Sequence, residues 1–152
     1  MLPRVEYSVL APASAERTWQ AFCHLQRLLG RGIYSDVAWI EGPPWQVGSR
    51  VRYTLTKPVP AVVTAVVTEA DPPRRVGLLN HGLGITAQQL VTFRALSDRS
   101  TRVSMTMEFV GESKELSPAA VEKALQFVTR DALDSMVLDL NPPRTAPRGN
   151  AS

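Results

Sequence analysis

Residues 117–136, SPAAVEKALQFVTRDALDSM, read as one uninterrupted helix near the end of a chain whose other segments read mostly as strands. No other feature constrains the fold as much, because a lone long helix must bury its apolar stripe against a surface of similar length. Ser117-Pro118 is a strong start: a hydroxyl to cap a free N–H, then a proline where its missing N–H costs nothing. Asn141-Pro142-Pro143 is an equally clear stop. The helix between them is about 23 residues and about 35 Å long. Val121, Ala124, Leu125, Val128, Ala132 and Met136 share one stripe, and Lys123, Gln126, Arg130 and Asp134 lie opposite. A twisted antiparallel sheet with one apolar face can match that length. A straight helix cannot touch all of a curved sheet, so a gap is expected between them.

The rest of the chain supplies such a sheet. Residues 4–10, RVEYSVL, alternate Val5, Tyr7 and Val9 with Arg4, Glu6 and Ser8, the period of a half-buried strand. Pro12 breaks it, and Ser14 caps a first helix carrying Ala15, Trp19, Phe22 and Cys23 on one face. A second short helical piece is expected at residues 26–30, ended by Gly30 and Gly32. Strands are then expected over 36–41, 49–56, 61–70, 75–81, 85–96 and 101–110, each bounded by Gly, Pro or Asp turn residues. No helix separates them, which predicts an antiparallel meander. The expected class is α+β, a curved antiparallel sheet of six to seven strands around a long C-terminal helix, with two short helices after the first strand. Residues 1–140 form a single domain in this reading, and the Pro/Arg/Gly-rich 141–152 a disordered tail.

Composition narrows the function classes. The chain has 152 residues, a net charge of +3 and scattered rather than striped basic residues, which argues against nucleic-acid binding. Cys23 is the only cysteine, so no internal disulfide forms. The N-terminus reads as a strand, not a signal peptide, and no apolar run is long enough to span a membrane. A cytoplasmic protein is expected. Two histidines and one cysteine give no metal-ligand spacing, and no cofactor is expected. Gly82-Leu83-Gly84-Ile85-Thr86-Ala87 fits G-x-G-x-x-A, but a strand follows it where a dinucleotide fingerprint needs a helix. The glycines read as a hairpin turn.

YSVLAPASAERTWQAF, EGPPWQVGSRVRYTL and VVTEADPPRRVGL, followed by the long helix, resemble the START-like (SRPBCC, Bet v 1-like) superfamily, in its polyketide cyclase/dehydrase and lipid-transport group. The resemblance covers residues 4–140 and implies the helix-grip fold. It also implies an interior that binds or transports a small hydrophobic molecule, lipid, polyketide or aromatic, sometimes with catalysis. The motifs are structural punctuation and identify no reaction.

Alternation assigns the expected cavity wall. Tyr53 and Leu55 line one strand, Val91 and Phe93 another, and Met105, Met107 and Phe109 a third; Val121, Leu125, Val128 and Met136 form the helical lid. His81, Tyr34 and Tyr53 are the polar candidates for acid–base work, but none has a partner at a telling spacing. Arg52 alternates with Tyr53, so both cannot face inward from a regular strand. The favoured reading is noncatalytic binding. The alternatives are a polyketide cyclase or dehydratase, and an interaction module resembling Hsp90-activator domains. Phe127 and Leu138 lie off the main stripe and are the candidates for a homodimer contact.

Overall fold

Strand β1 (Arg4–Ala11) is followed by helix α1 (Ala15–Cys23) and by strands β2 (Tyr34–Glu41), β3 (Arg50–Leu55), β4 (Ala61–Asp71), β5 (Arg75–Gly82), β6 (Ile85–Ser97) and β7 (Ser100–Phe109). Helix α2 (Pro118–Leu140) ends the order. The computed structural model describes residues 3–24, 34–56, 60–111 and 116–141. The second helical piece expected at 26–30 and the tail 142–152 lie outside the described residues. The seven strands form one antiparallel sheet in the order β1-β7-β6-β5-β4-β3-β2. Each strand from β2 to β7 pairs with its sequence neighbour, and β1 closes onto β7, so the meander is as expected.

The sheet curves because its ladders are interrupted. Register shifts occur twice in β2, once in β4 between Val67 and Glu69, and once in β6. Each adds local twist. At the β4 irregularity the neighbouring strand offers Gly77, where a Cβ would stand 2.8 Å from Thr68 Oγ1 and 2.9 Å from Glu69 Cγ. Only glycine allows that approach without a shift.

Period-two alternation sorts the two faces. Val76, Leu78 and Asn80 of β5 and Val103, Met105 and Met107 of β7 are buried on the concave side. The convex side carries polar cross-strand pairs: Ser8 Oγ and Ser104 Oγ are 2.8 Å apart, and Gln88 Nε2 donates to Thr68 Oγ1 at 3.1 Å.

Both helices begin as their caps require. Ser14 Oγ accepts from the Arg17 N–H and Ser117 Oγ from the Ala120 N–H, each at 3.2 Å. Ser117→Ala is expected to lower stability by about 1 kcal/mol, readable in a urea titration.

Helix α2 rests on β1 and β7, toward one side of the grip. Its C-terminal half is fully engaged: Ala132, Leu133, Met136 and Leu140 join Val91, Phe93, Val103 and Met105 in the main core. Helix α1 seals that end with aromatic rings. Trp19 packs edge-on to Phe93 and Trp45 at centroid distances of 5.6 and 5.5 Å, and Phe22 reaches both partners. The N-terminal half joins a smaller cluster through Val121 and Leu125, with Val5, Ile85, Met107 and Phe109.

The outer seam between α2 and β1 is polar. Tyr7 donates to Asp134 Oδ1 at 2.8 Å, and the Arg130 guanidinium lies 5.3 Å over the Tyr7 ring. Beside this pair, Asp131 Oδ2 is buried without a hydrogen-bond partner among the described residues. Burial, and secondarily the charge of Asp134, raise the Asp131 pKa above its ordinary 3.8. A carboxyl whose pKa is higher folded than unfolded holds its proton more tightly in the native state. Its effect on stability is neutral below the unfolded value and turns unfavourable as pH rises from there through the raised value. Asp131→Asn is therefore expected to raise the melting temperature at pH 7 and to flatten the stability profile just above the unfolded value. Thermal melts from about pH 3 to pH 7 check this; an unchanged profile would contradict it.

Candidate functional site

A gap remains where α2 stands off from β3, β4 and β5. The described residues line a half-open cavity of about 70 Å³ there, beneath the N-terminal half of α2. Its floor comes from Tyr53 and Leu55 of β3, Ala61 and Val63 of β4, and Asn80 and Gly82 of β5. Ile85 and Ala87 of β6 and Met107 of β7 form the far wall. Ala124, Leu125 and Val128 of α2 form the roof, and Leu83 and Leu116 stand at one end.

The void has a local cause. Ala61, Gly82, Ala87 and Ala124 all face it, and none has a side chain beyond Cβ. Larger residues at the three alanines would close it, while a Cβ at Gly82 would stand 2.9 Å from the Val62 carbonyl oxygen. The Leu83-Gly84 turn carries its end: both residues have positive φ, 56° and 68°, closing a two-residue hairpin between paired Gly82 and Ile85. The glycines of the G-x-G-x-x-A pattern are thus hairpin residues, followed by strand β6.

The wall is apolar except at one place. Tyr53 Oη donates to Asn80 Oδ1 at 3.1 Å, and Asn80 Nδ2 donates to Gln89 Oε1 at 2.9 Å. Gln89 Nε2 in turn reaches Met105 Sδ at 3.3 Å. Burial pushes the Tyr53 phenol well above its ordinary value, so it stays protonated at neutral pH. Its proton is engaged by Asn80. Neither property suits a general base.

The residues expected to form the wall divide between the cavity and the core. Tyr53, Leu55, Met107, Leu125 and Val128 line the cavity. Phe109 and Val121 are buried in the cluster beside it. Val91, Phe93, Met105 and Met136 lie in the main core, where α1 and its aromatic rings occupy the space between sheet and helix.

Of the acid–base candidates, His81 follows Asn80 and so faces the other way. It is exposed on the convex side, with Nδ1 2.9 Å from Thr86 Oγ1. Arg52 is likewise exposed beside buried Tyr53. Tyr34 pairs with Leu55 at the start of β2, and its side chain is outside the described residues. Cys23 is half-buried, and burial pushes its thiol up to about 12, so it is not a thiolate nucleophile. No group of three His, Cys, Asp or Glu side chains converges as a metal site among the described residues. No described helix is long and apolar enough to cross a membrane.

Asn80 was available to sequence reasoning. It shares the parity of Val76 and Leu78 in an inward-facing strand, and a polar residue at such a position asks for a partner. Ala61, Gly82, Ala87 and Ala124 carry no comparable signal, because small residues are common everywhere.

An antiparallel sheet gripping a long C-terminal helix defines the helix-grip class. Solved structures place it further. The Zhui aromatase/cyclase from Streptomyces sp. R1128 superimposes with a TM-score of 0.79 at 15% identity, over 93% of this chain and 94% of that one. A START superfamily protein from Mycobacterium smegmatis gives 0.74 at 14% identity, over 91% and 97%. Ara h 8.0201 gives 0.72 at 12% identity, over 93% and 99%. The chain has a START-like, SRPBCC-type fold. No protein-family model and no curated protein matches its sequence.

Proposed function

We propose that this domain binds a small, largely apolar molecule between the sheet and the N-terminal half of α2, as a carrier or sequestering protein. The observation that carries the reading is the apolar cavity itself, lined by five strands and one helix beside a closely packed main core. Unfilled apolar volume costs stability. Pockets between elements, apolar with few polar groups, are the usual form of small-molecule sites.

The volume sets a condition on the guest. An apolar cavity of about 150 Å³ holds one benzene. At about 70 Å³, this one admits a fragment of a few heavy atoms. A larger guest extends through the open side or displaces the α2 N-terminal half, which is less densely packed than the C-terminal half. Native mass spectrometry of freshly purified protein tests the reading, with solvent extraction of anything bound. A discrete adduct released on denaturation supports it. Empty protein that also shows no thermal shift with a panel of small apolar probes rejects it.

The likeness to an aromatase/cyclase favours a second reading, an enzyme acting on a polyketide-like substrate. Against it, His81 and Arg52 face outward, and the inward phenol of Tyr53 is held protonated. Turnover of a polyketide-type substrate that Tyr53→Phe abolishes would establish it. An interaction module would have a filled interior, which the cavity argues against.

A further inference from the structure

We infer that Asn80, held in place by Tyr53 and Gln89, is a neutral polar subsite that binds the oxygen of a carbonyl-bearing ligand whose remaining body is apolar and uncharged. The inference rests on the ligand-binding reading above and names the ligand class.

The direction of the hydrogen-bond chain is fixed from its far end. A thioether sulfur can only accept, so the Gln89 carboxamide must turn its nitrogen to Met105 and its oxygen to Asn80. Asn80 must then present its nitrogen to Gln89 and its oxygen to Tyr53, and Tyr53 must donate. Asn80 Nδ2 has two hydrogens, and Gln89 takes one. The other has no partner among the described residues, on a residue only 6% exposed that lines the cavity. A buried donor left unmade is costly, so a leucine would serve packing better. The free N–H asks for an acceptor from inside the cavity.

The described wall carries no charge. No Lys, Arg or His lines the cavity among the described residues. A carboxylate bound there would lose its hydration with no counter-charge among the described residues to replace it. A neutral carbonyl loses less and meets a fixed donor, whose orientation needs no reorganisation on binding.

The experiment uses a shape-matched probe pair, cyclohexanone and methylenecyclohexane, with cyclohexanecarboxylate as the charged control. Affinities are measured by calorimetry or by displacement of a fluorescent apolar reporter. Selectivity is the ratio of the alkene Kd to the ketone Kd. Asn80→Leu is expected to lower this ratio about tenfold, the scale of one lost hydrogen bond in a dry site. Cyclohexanecarboxylate is expected not to bind. In the unsubstituted protein the Asn80 side-chain amide signals should move on titration with cyclohexanone and stay nearly still with methylenecyclohexane. This second measurement needs no variant to fold. Equal responses to the two probes, or an unchanged ratio in Asn80→Leu, would overturn the subsite while leaving the cavity standing. Acetone and isobutene, of four heavy atoms each, fit the resting volume and serve as the small pair; failure of both pairs to bind would overturn the ligand-binding reading and the subsite with it.

Discussion

Leu125→Trp is expected to abolish ligand binding, by at least a hundredfold in Kd, while the domain still folds. Leu125 reaches down from α2 into the cavity, which Ala61, Gly82, Ala87 and Ala124 leave open. An indole at this position enters the space the guest would take. In a fully packed core such an insertion costs about 1–3 kcal/mol through strained rotamers and displaced backbone. Here the pre-existing void absorbs part of the added bulk, so the melting temperature should fall by only a few degrees. Phe127 is the matched control: it is two positions on, and 43% exposed. Phe127→Trp should change neither affinity nor stability measurably. The readout is titration of whatever native mass spectrometry identifies, or of cyclohexanone if the protein is isolated empty. Retention of affinity within about threefold in a folded Leu125→Trp protein would place the binding site elsewhere, since about 0.7 kcal/mol cannot represent loss of the pocket.

Strands and helix caps were legible because their signals are local. Ser117-Pro118 marks a helix start whatever the helix packs against. Val103, Met105 and Met107 alternate with Ser104, Thr106 and Glu108, so their common face needs no knowledge of the neighbouring strands. The position of the void along α2 was not local. Val91 and Phe93 have the same parity and chemistry as Ile85 and Ala87 of the same strand. They differ in what arrives opposite them. Trp19 and Phe22 come from α1, and Trp45 from a loop that places it at φ 63°. Those rings fill the C-terminal end of the grip, and nothing comparable among the described residues fills the other end. The polar subsite was half legible. Asn80 was not singled out, although it shares the parity of Val76 and Leu78, and its coupling to Gln89 depends on the β5–β6 register, where Leu78 pairs with Gln89 and Asn80 with Ala87.

Unequal packing along α2 gives the second large effect, a contrast between two leucines of one helix. Leu133→Ala is expected to destabilise the domain by about 3–5 kcal/mol, and Leu125→Ala by roughly half as much or less. Leu133 is fully buried, with 0% exposure, and packs in the main core together with Met136 and Val103. Its truncation removes dozens of dispersion contacts and leaves a cavity that rigid neighbours cannot close. Leu125 already borders a void on one side, so it has fewer contacts to lose. For a domain of this size the Leu133 change corresponds to a fall of about 6–20 °C in melting temperature. Native-state hydrogen exchange should show the same asymmetry without mutation. Amides in the first turns of α2 should open at lower free energy than those around Leu133, because local opening follows local contact density. A helix whose two leucines cost the same would be uniformly packed, and its N-terminal half could not act as a movable roof. If the costs differ as expected, the anchored half explains why the fold survives such movement. The sparsely packed half is then the part able to admit a guest larger than the resting cavity.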